Sequence, residues 1–317
     1  MSILIDQRTT FIVQGITGRE AVNLTRECLD YGRGAKVVGG VTPGRLGREV
    51  HGVPVFDTVA QAVAHHGSPI DGSVVTVPPA FTRDAVFEAV EAGIKLIVIV
   101  TERIPRRDVA EMVELAELRG ARIIGPNCLG VIVPDIIKMG GIGGPARNAE
   151  QAYTPGPIGV ISRSGGMTTE MSSTLSAAGL GQSTAVSIGG DAIIGSSYSE
   201  LMPLFQADEQ TRGIVIYSEP GGRMEADLAR WVSEHDAAIE DGQRRALPIV
   251  AFMAGRFMDE MPGMSFGHAG TIVEGKEDTT AEKIERLEGA GIAVAERIED
   301  IPEMIRQKIG AQEGAYA

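Results

Sequence analysis

Two residues could carry covalent chemistry, and several turns could hold the anions it would act on. His268 lies in Met264-Ser-Phe-Gly-His-Ala-Gly270. Small neighbours on both sides leave its imidazole sterically accessible, so it could attack phosphorus as a nucleophile. A hydrogen-bonded loop histidine fits the same spacing. The other histidines, His51, His65, His66 and His235, lie in polar surroundings and read as surface residues. Ser218-Glu-Pro-Gly-Gly222 ends an apolar run and places the carboxylate of Glu219 at the edge of a sheet. Ser162-Arg-Ser-Gly-Gly166 stands between a strand and a helix, where N–H groups and hydroxyls make an anion cradle. Ile188-Gly-Gly-Asp191 resembles a further cradle. Cys128, in Gly125-Pro-Asn-Cys128, has no histidine near it in sequence and reads as a small buried residue. No His, Cys or carboxylate set has metal-ligand spacing, so no zinc site is expected.

The first apolar run ends in Gly15-Ile-Thr-Gly18, half of a dinucleotide fingerprint. The second ends in Gly39-Gly-Val-Thr-Pro-Gly-Arg45, with no carboxylate to hold ribose hydroxyls and with Arg45 following. That suits a ligand with an extra phosphate, such as NADP or coenzyme A; a solvated surface charge is the other reading of Arg45. Val77-Pro-Pro-Ala-Phe81 cannot continue a central strand and forms a rigid lip where open α/β sheets bind ligands.

The elements around these turns alternate. Strand-length runs at 11–15, 36–41, 72–77, 96–100 and 122–125 are separated by helical periodicity at 19–31, 58–65, 83–92 and 107–119. This predicts a parallel sheet covered on both faces. Residues 126–157 hold five prolines and a glycine cluster and read as an irregular connector. Runs at 158–162, 182–187, 213–218, 248–253 and 291–295 then alternate with helices. The expected fold class is α/β, with a Rossmann-like domain over 1–125, a connector over 126–157 and a flavodoxin-like domain over 158–317.

The chain has 317 residues and a formal net charge of −13, which excludes a general nucleic-acid binder. Its 41 glycines are about twice the usual ~7% and call for many tight turns. Two cysteines are too few for a disulfide framework. The start lacks a signal peptide, and no apolar run reaches the ~18 residues of a membrane span. A cytoplasmic location is the expectation.

Taken together, Gln14-Gly-Ile-Thr-Gly18, Val38-Gly-Gly-Val-Thr-Pro-Gly44, Val100-Thr-Glu102, Gly125-Pro-Asn-Cys128, Ser162-Arg-Ser-Gly165, Ile188-Gly-Gly-Asp191 and Gly267-His-Ala-Gly270 resemble the succinyl-CoA synthetase α-subunit family. The resemblance spans nearly the whole chain. It implies an ADP- or GDP-forming acid–CoA ligase. ATP or GTP, with Mg on an ATP-grasp β subunit, would phosphorylate His268. Glu219 would orient the histidine, and the phosphoryl group would pass to a carboxylic acid before coenzyme A attacks. Thr17, Gly18, Arg19 and Glu20 match the family's coenzyme A phosphate loop, and Arg45 stands where lysine is usual. Val77, Pro78, Val100, Thr101, Glu102 and Asn127 complete the expected coenzyme A set. Ser162, Ser164, Gly165, Gly166 and Thr169 are the expected substrate and phosphate set.

The Ser-Arg-Ser-Gly-Gly-Met run is closer to ATP-citrate lyase and citryl-CoA synthetase than to succinate enzymes. Gly166 and Thr169 replace a threonine and a tyrosine, opening room for an acid bulkier than succinate. Malate and citrate join succinate as candidate acids. Ser265 and Phe266 stand where a basic residue is usual, and Glu274–Asp278 is more acidic than the family's glycine-rich stretch. A hetero-oligomer is expected; a coenzyme A-binding regulatory subunit without phosphohistidine chemistry is the alternative.

Overall fold

The computed structural model describes residues 3–33, 36–238, 245–261, 263–264, 268, 271 and 279–314. The first sheet is built from β1 (Thr10–Gln14), β2 (Lys36–Val41), β3 (Glu49–Val50), β4 (Val53–Phe56), β5 (Gly72–Val75), β6 (Leu96–Ile99) and β7 (Arg122–Ile124). Its spatial order is β3-β4-β2-β1-β5-β6-β7, parallel except for the β3–β4 hairpin at one edge. Leaving out β3, the six parallel strands run 3-2-1-4-5-6, the doubly wound Rossmann order. Helices α1 (Arg19–Asp30), α2 (Val59–His66), α3 (Pro79–Glu91) and α4 (Arg106–Leu118) make the crossovers. Ala21, Leu24, Thr25 and Cys28 of α1 are buried at i, i+3, i+4 and i+7, one stripe facing the sheet.

The second sheet contains β8 (Gly130–Val133), β9 (Ile137–Met139), β10 (Pro155–Ser162), β11 (Gln182–Ser187), β12 (Gly213–Ser218), β13 (Ile249–Met253) and β14 (Ala293–Ala295). Its order is β14-β13-β12-β10-β11-β8-β9. The five parallel strands therefore run 2-1-3-4-5, the flavodoxin-like order. The associated helices are α5 (Ala146–Ala152), α6 (Gly165–Ala177), α7 (Tyr198–Ala207), α8 (Met224–Ala237), α9 (Thr280–Gly289) and α10 (Ile301–Gly314). Every residue of β11 and β12 is buried, as strands covered on both faces must be. Ile214 and Ile216 are fully buried, each worth roughly 1.5–3 kcal/mol in removed apolar surface.

Three expectations change. Residues 126–157 are not irregular: β8 and β9 join the second sheet antiparallel to β11, and α5 packs on α6. The prolines and glycines there sit in the turns between these short elements. The lip after β5 is split, because Pro79 opens α3, four residues before the expected helix start; proline suits a first helical position. The β3–β4 hairpin is unexpected from the sequence because β3 is only two residues long and Pro54 breaks the apolar run of β4.

The two sheets are joined closely. Arg122 donates to Ser196 Oγ at 3.3 Å, and Ser196 donates to the Ile123 carbonyl at 2.8 Å. The fully buried Lys138 donates to the carbonyls of Ile142 and Gly144 and lies 3.6 Å from Glu27 of α1. Among the described residues no helix is long and apolar enough to cross a membrane.

Candidate active site

Each sheet has one point where its strand order reverses, and a crevice opens beyond the carboxyl ends of the two strands there. In the first sheet these strands are β1 and β5. A cleft of about 790 Å³ lies at that point, lined by Thr17, Gly18, Arg19, Glu20, Val77 and Pro78 among others. Gly15 has φ +86°, and a Cβ there would meet Thr76 Oγ1 at 2.9 Å, so glycine is required for the close turn. Gly18 caps α1 with no side-chain hydrogen bond, which leaves the first-turn N–H groups for a phosphate. Thr17 Oγ1 donates to Thr42 Oγ1 at 3.2 Å and ties the turn to the end of β2. A nucleotide-phosphate ligand of coenzyme A size fits this cleft and these donors.

The remaining expected cofactor residues are spread out. Arg45 is exposed and outside the cleft lining; its backbone N–H donates to Asp57 Oδ1 at 3.0 Å. Thr101 donates to the Val77 carbonyl at 2.7 Å, and Val100 is half-buried beside it. Glu102 and Asn127 line a second cavity of about 270 Å³ with Arg103, Arg106 and Asp191. Asn127 Nδ2 donates to Asp191 Oδ1 at 3.0 Å, bridging the two sheets. Sequence reasoning missed Thr42, Asp84 and Glu88, which also line the first cleft. Glu88 is held in the cleft wall by the Val59 N–H, and Asp84 stands exposed at the rim, on a helix whose register follows from its start at Pro79.

In the second sheet the reversal falls between β10 and β12, where Ser162 is in register with Tyr217. Glu219 and the α6 N-terminus thus rise from neighbouring strand ends. The side chain of Glu219 is 9% exposed and that of His268 is 27% exposed. His268 Nδ1–H donates to Glu219 Oε2 at 2.8 Å. This bond raises the imidazole pKa above its ordinary 6.5; burial and the Arg163 charge oppose the rise, while Asp191 adds to it. The bond engages Nδ1 and fixes the plane of the ring over the strand ends. Of the expected Gly267-His-Ala-Gly270 motif only His268 is described; Ser265, Phe266 and Glu274–Asp278 also lie outside the described residues.

The Ile188–Asp191 turn is a seat rather than a free anion cradle. A Cβ on Gly190 would lie 2.4 Å from His268 Cγ, so the ring rests directly on this glycine. Gly189 has φ +97°, and a Cβ there would strike the Pro126 carbonyl at 2.0 Å. Behind the seat, the buried Arg163 donates from Nη2 to the carbonyls of Asp191 (3.2 Å) and Gly190 (3.4 Å). Its buried Nε has no hydrogen-bond partner.

The serines beside Arg163 shape the start of α6. Ser164 caps it, accepting from the Met167 N–H at 3.4 Å. Ser162 Oγ donates to the Ser164 carbonyl at 2.7 Å. Gly165 lies against Leu129, whereas Gly166 faces open space. Thr169 is turned away from that opening toward the buried Tyr153, whose hydroxyl shares a 2.9 Å hydrogen bond with it. Cys128 is buried, its thiol pushed up to about 12, which suits packing and not attack.

Residues 6–103 match the family described as CoA binding domain, and residues 161–293 match CoA-ligase. The α subunit 1 of the ADP-forming succinate–CoA ligase of Archaeoglobus fulgidus is 41% identical, covering 97% of this chain and 98% of that one. The ADP-forming sulfoacetate-CoA ligase subunit SqwL of an Acholeplasma species is 39% identical, over 97% and 98%. The Methanosaeta concilii ATP citrate lyase, solved with (3S)-citryl-CoA, superposes with a TM-score of 0.87 at 23% identity, a likeness of fold. It covers 98% of this chain, which spans about half (51%) of the lyase chain. Sustained identity over nearly all of both partners, together with the two matched domains, places the chain in the family of succinate–CoA ligase α subunits, acid–thiol ligases that use coenzyme A.

Proposed function

We propose that this chain is the α-type subunit of a nucleotide-dependent ligase that joins a short di- or tricarboxylate to coenzyme A through a phosphohistidine on His268. The carrying observation is the 2.8 Å hydrogen bond from His268 Nδ1–H to Glu219 at the second switch point. It orients the imidazole, and Nε2 would attack the terminal phosphorus of ATP or GTP, breaking the bond to the departing diphosphate. The nucleotide and its Mg would sit on a β subunit of ATP-grasp fold, giving a hetero-oligomer. A carboxylate oxygen then attacks phosphorus and the P–N bond breaks, giving an acyl phosphate. The coenzyme A thiol, giving up its proton, attacks the acyl carbon and inorganic phosphate leaves.

The residues present suit this sequence. A phosphorylated side chain carries about −1.5 to −2 charges at neutral pH. The N-terminus of α6 and the charge of Arg163 rise from the strand end beside Glu219 and oppose that charge. Thr17, Gly18, Arg19 and Glu20 would hold the phosphates of coenzyme A; Val77 and Pro78 would flank its base. Thr101 would brace that wall, and Glu102 with Asn127 would meet the thiol-bearing arm. Ser162, Ser164, Gly165 and Gly166 would receive the acid, with Thr169 bracing the helix behind them through Tyr153. The open face at Gly166 supports an acid as large as citrate, with succinate the family default and malate between them. Two buried free cysteines suit a reducing, cytoplasmic setting.

The test is a phosphorylation chase with the copurified partner. Labelled ATP or GTP should leave acid-labile label on the wild-type chain and none on His268→Asn. One acid of a panel, with coenzyme A, should discharge it. A wild type that binds its partner and coenzyme A yet never takes label would overturn this reading in favour of a regulatory subunit.

A further inference from the structure

Beneath Glu219 lies a charged group that the chemistry above does not use. Lys283, on the first turn of α9, is buried. Its ammonium donates to the Glu219 carbonyl at 3.0 Å, to the Gly221 carbonyl, and to Glu225 Oε2 at 2.7 Å. An ammonium has three donors, and all three are spent here. Two of the acceptors belong to the backbone of the turn that carries Glu219, and the third opens α8.

The segment bearing His268 is tied to the same point. Asp259, in the short 3-10 helix Arg256–Glu260 that follows β13, accepts from the Thr280 N–H (2.8 Å), the Thr280 hydroxyl (2.7 Å) and the Ala281 N–H (3.2 Å). Residue 259 and the start of α9 are therefore held together, one on each side of His268 in sequence. Lys283, one turn further on, locks that junction to the Glu219 turn. A general packing role does not require an ammonium here, since burying a charge is costly unless each donor is satisfied.

We propose that Lys283 is a positioning residue, which fixes the Glu219 turn so that its carboxylate meets Nδ1 of His268 and Nε2 is presented for phosphoryl transfer. The inference rests on the phosphohistidine reading for its catalytic consequence, but its geometric core does not. Among the described residues the charged groups facing the imidazole are Glu219 from the end of β12, Arg163 from the end of β10 and Asp191 from the end of β11. Of these, Lys283 touches only the turn of Glu219.

The experiment uses the full chain with its partner and compares wild type, Lys283→Met and Lys283→Met/Glu225→Gln. The double variant removes both charges of the buried pair, so it remains informative if the single variant fails to fold. Three quantities are read: the His268 pKa from an imidazole NMR titration, the rate of label uptake and the affinity for coenzyme A. Freeing the Glu219 turn should lower the His268 pKa toward its ordinary value and slow uptake at least tenfold, with coenzyme A affinity unchanged. A double variant with wild-type pKa and wild-type uptake overturns the proposal. If the wild type itself takes no label, the phosphohistidine reading fails, and the pKa alone decides whether Lys283 positions Glu219.

Discussion

On the proposed phosphohistidine chemistry, the protonation of His268 sets its attack on phosphorus, and Glu219 shifts that protonation. The hydrogen bond to Glu219 raises the imidazole pKa, so a larger share of the ring is protonated, and inert, near neutral pH. Phosphoryl uptake should therefore climb as pH rises through that raised value. In Glu219→Gln the climb should move to lower pH, while the rate on the plateau falls about 10²–10⁴-fold because the ring loses its fixed tautomer and aim. A pH profile of label uptake reads both effects; an unmoved acid limb would show that Glu219 does not set the imidazole's proton. Stability follows the opposite sign. The pair strengthens the fold fully below the unfolded value of 6.5, and the contribution fades as pH rises through the folded value. Glu219 and His268 were legible as residues because a lone carboxylate and a small-flanked imidazole stand out. Their contact was not, since 49 positions separate them.

The strand ends carry both sites, and each site depends on glycine at one turn. A methyl group on Gly190 would occupy the place of the imidazole ring, 2.4 Å from Cγ. Gly190 has no positive φ, so the backbone itself tolerates alanine. Gly190→Ala should therefore displace the ring more than it disturbs β11. We expect label uptake to drop at least tenfold, about 1.4 kcal/mol on the barrier, with a melting temperature close to wild type. Unchanged uptake would mean that the seat is dispensable.

Alternating apolar runs made the β/α rhythm readable, because strands covered on both faces must be apolar throughout. The inward polar residues were harder. Thr280, Lys283 and Leu287 share the buried stripe of α9, so a lysine at a core position was the available signal for Lys283. Arg163 gave none, since a single charge at a strand end has no period. β8 and β9 were hidden by their brevity and by the prolines and glycines around them.

Across the whole molecule, the two crevices are supplied by two sheets that share little chain between them. β7, the last strand of the first sheet, ends at Ile124, and β8, already in the second, begins at Gly130. The connection is held from both sides, by Gly195 N–H on the Gly125 carbonyl (2.8 Å) and by Asn127 on Asp191. A long swinging linker is thus ruled out at this junction. Any distance between a ligand seated at the first crevice and His268 must be covered by the ligand's own reach.

The same junction dictates where the gene can be divided. A break placed after the proline-rich stretch, to start a fragment at Ile158, would strip β8 and β9 from the sheet and bare the edge of β11. An exposed strand edge invites pairing with other copies. Expressed alone, residues 158–317 should sediment as aggregate, whereas residues 126–317 should stay monodisperse. Equal sedimentation of the two would mean that the antiparallel pair is ornamental. What looks in the sequence like a spacer for cutting is the margin of the second half, and the usable seam is the short crossing between Gly125 and Leu129.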